Sequence, residues 1–191
     1  MSQTLRPSSD VVKSGLTIVT GSYAYAVVDE EAVVWTDYFH RPSGESYAGS
    51  GYGTLGMTDP ALTPVTPVNT GDVVINYAVN LYRVVDGTTG YGKVDIALYQ
   101  GATLVESFTL TGGSGFYGQQ TGSLSIASSN FSKITDWTDV RIKVTCYCVT
   151  KTQKIGDMTY TVYAGSACNW IELIVPDPTV SGPGLEMGMA A

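Results

Sequence analysis

Residues 73–110, VVINYAVNLYRVVDGTTGYGKVDIALYQGATLVESFTL, constrain the fold more than any other stretch of the chain. Along VVINYAVNLYRVV one face collects Val73, Ile75, Tyr77, Val79, Leu81 and Val85, and the other collects Asn76, Ala78, Asn80 and Tyr82. Apolar side chains recurring at every second position define a long strand with one face in a core. DGTTGYG then supplies glycines for turn conformations closed to other residues. KVDIALYQ alternates again, with Val94, Ile96 and Leu98 inward and Lys93, Asp95 and Tyr99 outward. After the turn Gln100-Gly101-Ala102-Thr103, LVESFTL gives a third strand. Three consecutive strands with tight turns make an antiparallel meander, and its outward face is too polar for a parallel sheet.

The rest of the chain reads in the same way. LRPSSDVVKSGLTIV is turn-rich and leads into a short strand. SYAYAVVDEE and VVWTDYFHR are strand candidates, the first with Tyr23, Tyr25 and Val27 on one face. Residues 42–72 are the least regular, a Gly/Pro/Thr-rich insertion with a short strand expected around YGTLGM and an extended run from Pro60 to Pro67. FYGQQTGSLSIA is a further strand or pair. SSNFSKITDWTD is a connecting loop anchored by Phe131, Ile134 and Trp137. DVRIKVTCYCVT, KIGDMTYTVYAG and ACNWIELIVP follow as separate strands. In the last, Ile171, Leu173 and Val175 face inward and Cys168, Trp170 and Glu172 outward, with Pro176 and Pro178 ending the ladder. Roughly eight to ten strands at this spacing predict an all-β antiparallel sandwich. Residues 1–176 form its single domain, and 177–191 an extended C-terminal arm.

Charge excludes some partners. A net charge of −7 with only ten dispersed Lys and Arg leaves no basic patch for nucleic acid or an anionic membrane. No apolar run reaches the roughly 20 residues that span a bilayer, and MSQTLRPSSD lacks the apolar core of a secretion signal. Three cysteines cannot all pair. Cys146 and Cys148 share a strand face with Val140, Ile142 and Val144 and read as small buried hydrophobes in a reducing compartment. Zinc would need a fourth ligand near Cys168, and the single histidine, His40, is remote in sequence.

Taken in order, LRPSSDVVKSGLT, SYAYAVVDEE, VVINYAVNLYRV, VDIALYQGATLVESFTL, ITDWTDVRIKVT and CNWIELIVP form a series. It resembles a family of small jelly-roll-like β-sandwich proteins encoded mainly by tailed bacteriophages, among genes for virion parts. The likeness covers most of residues 4–176 and departs from the family in the insertion after Tyr47 and in the apolar tail. It implies a jelly-roll-like sandwich and a virion setting, and it brings no catalytic residues.

The residues themselves offer little for catalysis. A Ser–His–Asp set would have to use His40 with Asp37, Ser43 or Glu45, which are too close along one strand and its turn to converge on a substrate. His40 reads instead as a solvated strand end. Asp29, Glu30 and Glu31 point to alternating sides and read as a solvated strand end, which disfavours a glycosidase pair. Calcium, which takes clustered oxygen ligands from loops, stays a lesser alternative for that run. GSGYG at 49–53 leads into no helix and carries no lysine, so it is no phosphate loop. Asn130-Phe131-Ser132 matches a glycosylation triplet without a secretory context. Neither a cofactor nor a metal is expected.

Tyrosines are the more informative residues. Tyr47, Tyr52, Tyr91 and Tyr117 stand in glycine-rich turns, where they suit contact with another surface or stacking on a sugar ring, or pack on their own loops. Trp170 is the expected interface anchor, being aromatic and outward on the last strand. Leu185, Met187 and Met189 give the arm its apolar contacts. The leading expectation is a non-enzymatic virion protein that decorates or cements a capsid. Its partners are the major capsid protein and copies of itself in a symmetric oligomer. The alternative is a tail-fibre or appendage domain binding host-surface glycans. Either would be made in the bacterial cytoplasm and end in the virion.

Overall fold

The computed structural model describes residues 2–14, 16–18, 23–24, 26, 28–29, 32–33, 38–40, 49–57, 72–83, 92–112 and 118–176. For 2–3, 49–50, 82–83, 148–155 and 160–164 the backbone alone is described. Eleven strands lie within these residues: β1 Ser2–Leu5, β2 Ser9–Ser14, β3 Thr17–Ile18, β4 Phe39–His40, β5 Gly49–Gly56, β6 Val74–Arg83, β7 Lys93–Gln100, β8 Thr103–Thr111, β9 Gly118–Ser125, β10 Val140–Ile155 and β11 Met158–Pro176. All their pairings are antiparallel. They form a sandwich of two layers, jelly-roll-like as the sequence implied. Sheet I runs β2-β5-β10-β7-β8. Sheet II runs β9-β6-β11, and the far edge of β11 carries β1 and the β4–β3 pair.

β10 joins the layers. Its first half sits between β5 and β7, and from Val149 to Ile155 it pairs instead with β11, from Ala164 to Met158. The ladder is therefore continuous through all eleven strands although the packing has two layers. Where β10 changes partner, β7 no longer reaches it, and the amide of Tyr147 donates to the hydroxyl of Ser166 at 2.9 Å. That hydroxyl in turn donates to the carbonyl of Lys93. Ser166 is wholly buried, and only a side chain that both accepts and donates could satisfy this corner.

The core lies between the inner faces. Sheet I contributes Leu55, Val94, Ile96, Leu98, Ile142, Val144 and Cys146, and sheet II contributes Ile75, Val79, Leu81, Ile171, Leu173 and Val175. The alternation along β6 and β7 predicts their inward positions correctly, but the expected three-strand meander does not form. β6 lies in sheet II between β9 and β11, and only β7 and β8 pair with each other, because alternation marks the buried face of a strand and not its partner. Phe131, Ile134 and Trp137 anchor the connection before β10, in and beside the two short 3-10 helices Ser128–Lys133 and Trp137–Asp139. Glu106 fixes that connection by accepting from the amide of Ala127 at 2.8 Å and from Nδ2 of Asn130 at 3.1 Å.

Several expectations need correction. The run SYAYAVVDEE is no strand at its described residues: Ala24 lies in a bend, Ala26 in a 3-10 turn and Val28 in a turn. Its two faces are equally apolar, so it lacks the one-sided pattern that holds a strand on a core. The amide of Ala24 donates to Asp10 at 2.9 Å, and the carbonyl of Val28 accepts from the amide of Ile171 at 3.2 Å. The segment thus fills the gap on the β11 edge between β4 and β1. KIGDMTYTVYAG holds the end of β10, the turn Gly156-Asp157 and the start of β11, and from Met158 the chain runs on through ACNWIELIVP as one strand of 19 residues. Cys168 points inward and is fully buried, because the register shifts between Cys168 and Trp170 and resets the alternation. The opening holds β1, unmarked by any periodicity, whose position is set by pairing with the end of β11. His40 is no loose end: it pairs with Thr17 on one side and Ala167 on the other. Residues 34–37, the turn at 84–91, the Pro60–Pro67 run and the 177–191 arm lie outside the described residues.

Candidate functional site

Because β10 and its neighbours keep register, the outward side chains of sheet I stand in cross-strand rows. One row runs Arg141, Tyr99, Leu104; the next Val12, Thr54, Lys143, Ala97, Ser107; the third Ser14, Tyr52, Thr145, Asp95, Thr109. Small residues occupy most of the middle row, and larger ones stand on either side of it. The result is a pair of shallow depressions of about 260 and 310 Å³ that share Tyr99 and Lys143. Tyr52, Tyr99 and Tyr147 are half-buried there, and Leu104 is 45 % exposed.

Two electrostatic arrangements hold this face. The ammonium of Lys143 sits 4.0 Å from the centre of the Tyr52 ring, where the negative face of the aromatic attracts it. Beside it, Asp95 accepts from Thr109 at 2.6 Å, from the Tyr147 hydroxyl at 2.6 Å and from Lys93 at 3.0 Å. Burial pushes the Asp95 carboxyl up, but these three donors outweigh it and hold the group below its usual range. The hydrogen bond to Asp95 raises the pKa of Lys93, and the same carboxylate, with burial, raises that of Tyr147. Lys93 also lies 4.4 Å from the Tyr147 ring centre. Arg141 is paired with Asp139 at 2.7 Å.

The outer face of sheet II differs. Asn76 donates to Glu172 at 2.9 Å and accepts from Ser123 at 2.6 Å, and Asn80 donates to Asn169 at 3.1 Å. These side chains are tied to one another across β9, β6 and β11. Trp170 lies on this face opposite Ala78 and is half-buried, less open than its outward position led us to expect.

Tyr52 and Trp170 are therefore on opposite faces of the sandwich and do not meet. Tyr52 stands in the middle of β5, not in a turn, because the glycines around it (Gly51 and Gly53) face the core across from Cys146 and Val144. A Cβ on Gly53 would meet Leu16 at 3.4 Å and Ala24 at 3.6 Å, ordinary packing distances, so the space beside it does not itself demand a glycine. Tyr47, Tyr91, Tyr117, Leu185, Met187 and Met189 lie outside the described residues. Sequence reasoning missed Tyr99, Lys143 and Tyr147 as a group. Their outward positions follow from the alternation of β7 and β10, but which residue faces which across strands depends on a register that no local signal sets.

Among the described residues no three His, Cys, Asp or Glu side chains gather as a metal site would require, and no helix is long and apolar enough to cross a membrane. The His40 ring packs edge-on to Tyr38, with centroids 5.5 Å apart. Cys146 and Cys168 are free thiols, and burial pushes Cys146 up to about 12 and Cys168 well above its usual value. Neither thiol is poised to react.

No family model matches the chain, and no curated protein matches it in sequence. Among solved structures it is similar to the C-terminal CBM6 of LamC, a marine laminarinase from Zobellia galactanivorans. That likeness has TM-score 0.34 and 11% identity, covering 92% of this chain and 99% of the other. It is also similar to the infectious bursal disease virus VP2 subviral particle, with TM-score 0.32 and 10% identity, covering 92% of this chain and 32% of that one. Neither likeness is close enough to carry a function over.

Proposed function

We propose that the chain is a non-enzymatic structural protein of a bacteriophage virion, a capsid decoration or cement protein that binds and stabilises the shell. The ordered sequence series supports the virion setting. The structural observation behind the attachment is the zipper between β1 and the end of β11, in which Ser2 stands in register with Pro176 and Leu5 with Leu173. Residues 177–191 therefore leave from a point fixed on a paired strand, on the sheet that carries Trp170. A rigid sandwich loses little entropy on docking, so the cost falls on the arm, at about 1–2 kcal/mol per residue ordered. Burial of Leu185, Met187 and Met189 in the shell offsets part of it, and self-association into a symmetric oligomer strengthens the attachment by engaging several arms at once.

Removal of residues 177–191 is expected to leave the thermal transition of the sandwich in place while cutting retention on purified empty shells in a sedimentation assay. Full-strength decoration by the truncated protein refutes the attachment.

The aromatic and cationic outer face of sheet I favours a second reading, a tail-fibre or appendage domain that binds host-surface glycans. Copy number separates the two: hundreds per virion on a quantitative gel mean a shell protein, and a handful mean a tail component.

A further inference from the structure

We propose that the outer face of sheet I binds an acidic oligosaccharide, with Lys143 meeting its carboxylate or sulfate and Tyr99 and Tyr147 stacking against its rings. The inference deepens the glycan-binding reading, and it holds whether the chain sits on the shell or the tail.

Shape comes first. The row Thr54, Lys143, Ala97, Ser107 runs across four strands between taller residues, so the depression crosses the strands instead of following one of them. It is open along its length, as a chain-like ligand needs and an enclosed small molecule does not. Tyr52 and Tyr99 are two strands and two rows apart, a separation of about 16 Å from strand spacing and rise, enough for several sugar rings. Half-buried tyrosines on a sheet are held by their neighbours, so they present a flat apolar surface and a hydroxyl with little entropy left to lose.

Charge chooses the ligand. On this face Lys93, Arg141 and Lys143 stand with Asp95 and Asp139, three cations against two carboxylates, a local balance of +1 on a chain whose net charge is −7. Lys93 and Arg141 are spent on those two carboxylates. Lys143 faces a tyrosine ring and, among the described residues, no carboxylate. An ammonium in that position gains a charge-assisted hydrogen bond from an incoming anion without breaking an ion pair. Thr54, Ser107 and Thr145 line the same depressions with hydroxyl groups that suit sugar hydroxyls. A duplex or single-stranded nucleic acid would need several such free cations, and a single one favours a sugar acid.

The test is a glycan array carrying uronic-acid, sialic-acid and sulfated oligosaccharides beside their neutral counterparts, probed with the full chain and followed by calorimetry on the best acidic hit. The expected result is binding to an acidic glycan that falls roughly ten-fold or more in Lys143→Gln and in Tyr99→Ala and weakens with added salt. Both substitutions lie on the solvent side of the sheet, so unchanged melting of each variant confirms that the fold is intact. Tyr147→Phe, which keeps the ring, should retain stacking. The proposal is overturned by an array with no acidic hit, by equal affinity for the neutral counterpart, or by binding indifferent to Lys143→Gln and Tyr99→Ala. Shell retention by Lys143→Gln, measured in the same sedimentation assay, reports on capsid attachment separately: loss there with intact glycan binding points to the shell contact instead.

Discussion

Asp95 takes three hydrogen bonds on a sheet face where most polar residues have water for company. The Lys93–Asp95 ion pair alone would be worth little, since both side chains are partly open to water and salt screens such pairs. The value lies in the two hydroxyl donors, Thr109 and Tyr147, which are fixed by their strands and point at the carboxylate. Asp95→Ala is expected to cost about 1–3 kcal/mol in denaturant unfolding, because it removes an acceptor shared by three donors. The pH dependence has a definite sign. The folded-state pKa lies below the unfolded one, so the contribution is complete above the ordinary carboxylate range and is lost as the pH falls through the lowered folded value. Lys93 and Tyr147 act in the opposite direction, since their raised values mean that their contributions fade only at alkaline pH. The stability difference between the native chain and Asp95→Ala should therefore be flat near neutrality and shrink below about pH 4. A difference unchanged in acid would mean that the carboxylate does not carry the network. Asp95 was legible in the sequence as an outward residue of KVDIALYQ. Its donors were not, because Thr109 and Tyr147 come from strands 14 and 52 residues away.

At the scale of strands, legibility follows the length and one-sidedness of each pattern. β6 and β7 can be read from the sequence because each alternates for eight residues or more between an apolar and a polar side, whereas β8 alternates only beyond the bulge near its start. β3 and β4 have two residues each, too few for any period, and exist because β11 offers them an edge. The bulge at Asn169 could not be read either, since ACNWIELIVP alternates acceptably in both registers. β9 shows what a strand gives up for its neighbour. Gly122 stands opposite Tyr77, and a Cβ there would lie 2.6 Å from the tyrosine hydroxyl and 2.9 Å from Cζ. The ring closes over the glycine and packs against the core cluster. Gly122→Ala should lower stability by about 1–3 kcal/mol as overpacking, against the usual gain of an alanine in a strand. Tyr77→Leu combined with Gly122→Ala should recover part of that loss, and a double-mutant cycle measures it. Additive losses would mean that the ring moves aside freely.

Across the whole molecule, the first strand of the sandwich pairs with the last. β1 at Ser2–Leu5 lies along Leu173–Pro176, while the strands between them build both layers. Most contacts join residues far apart in sequence, so the fold closes late and the two layers cannot separate into independent halves. β10 and β11 reinforce this, because one continuous hairpin belongs to sheet I at one end and to sheet II at the other. Leu5 is 2 % exposed, and its pairing with Leu173 covers an edge of β11 next to buried Val175. Deleting residues 1–5 removes one buried leucine and leaves that edge unpaired, which should cost about 2–4 kcal/mol. For a chain of this length the melting temperature should fall by roughly 5–15 °C. The loss should appear as a shift of a single transition with equal calorimetric and van't Hoff enthalpies, since β1 is woven into the same core as every other strand. A second, separate transition in the deleted protein would show that β1 stabilises only its own edge. The sequence could not announce this closure, because its opening residues become a strand only once the other end of the chain is in place.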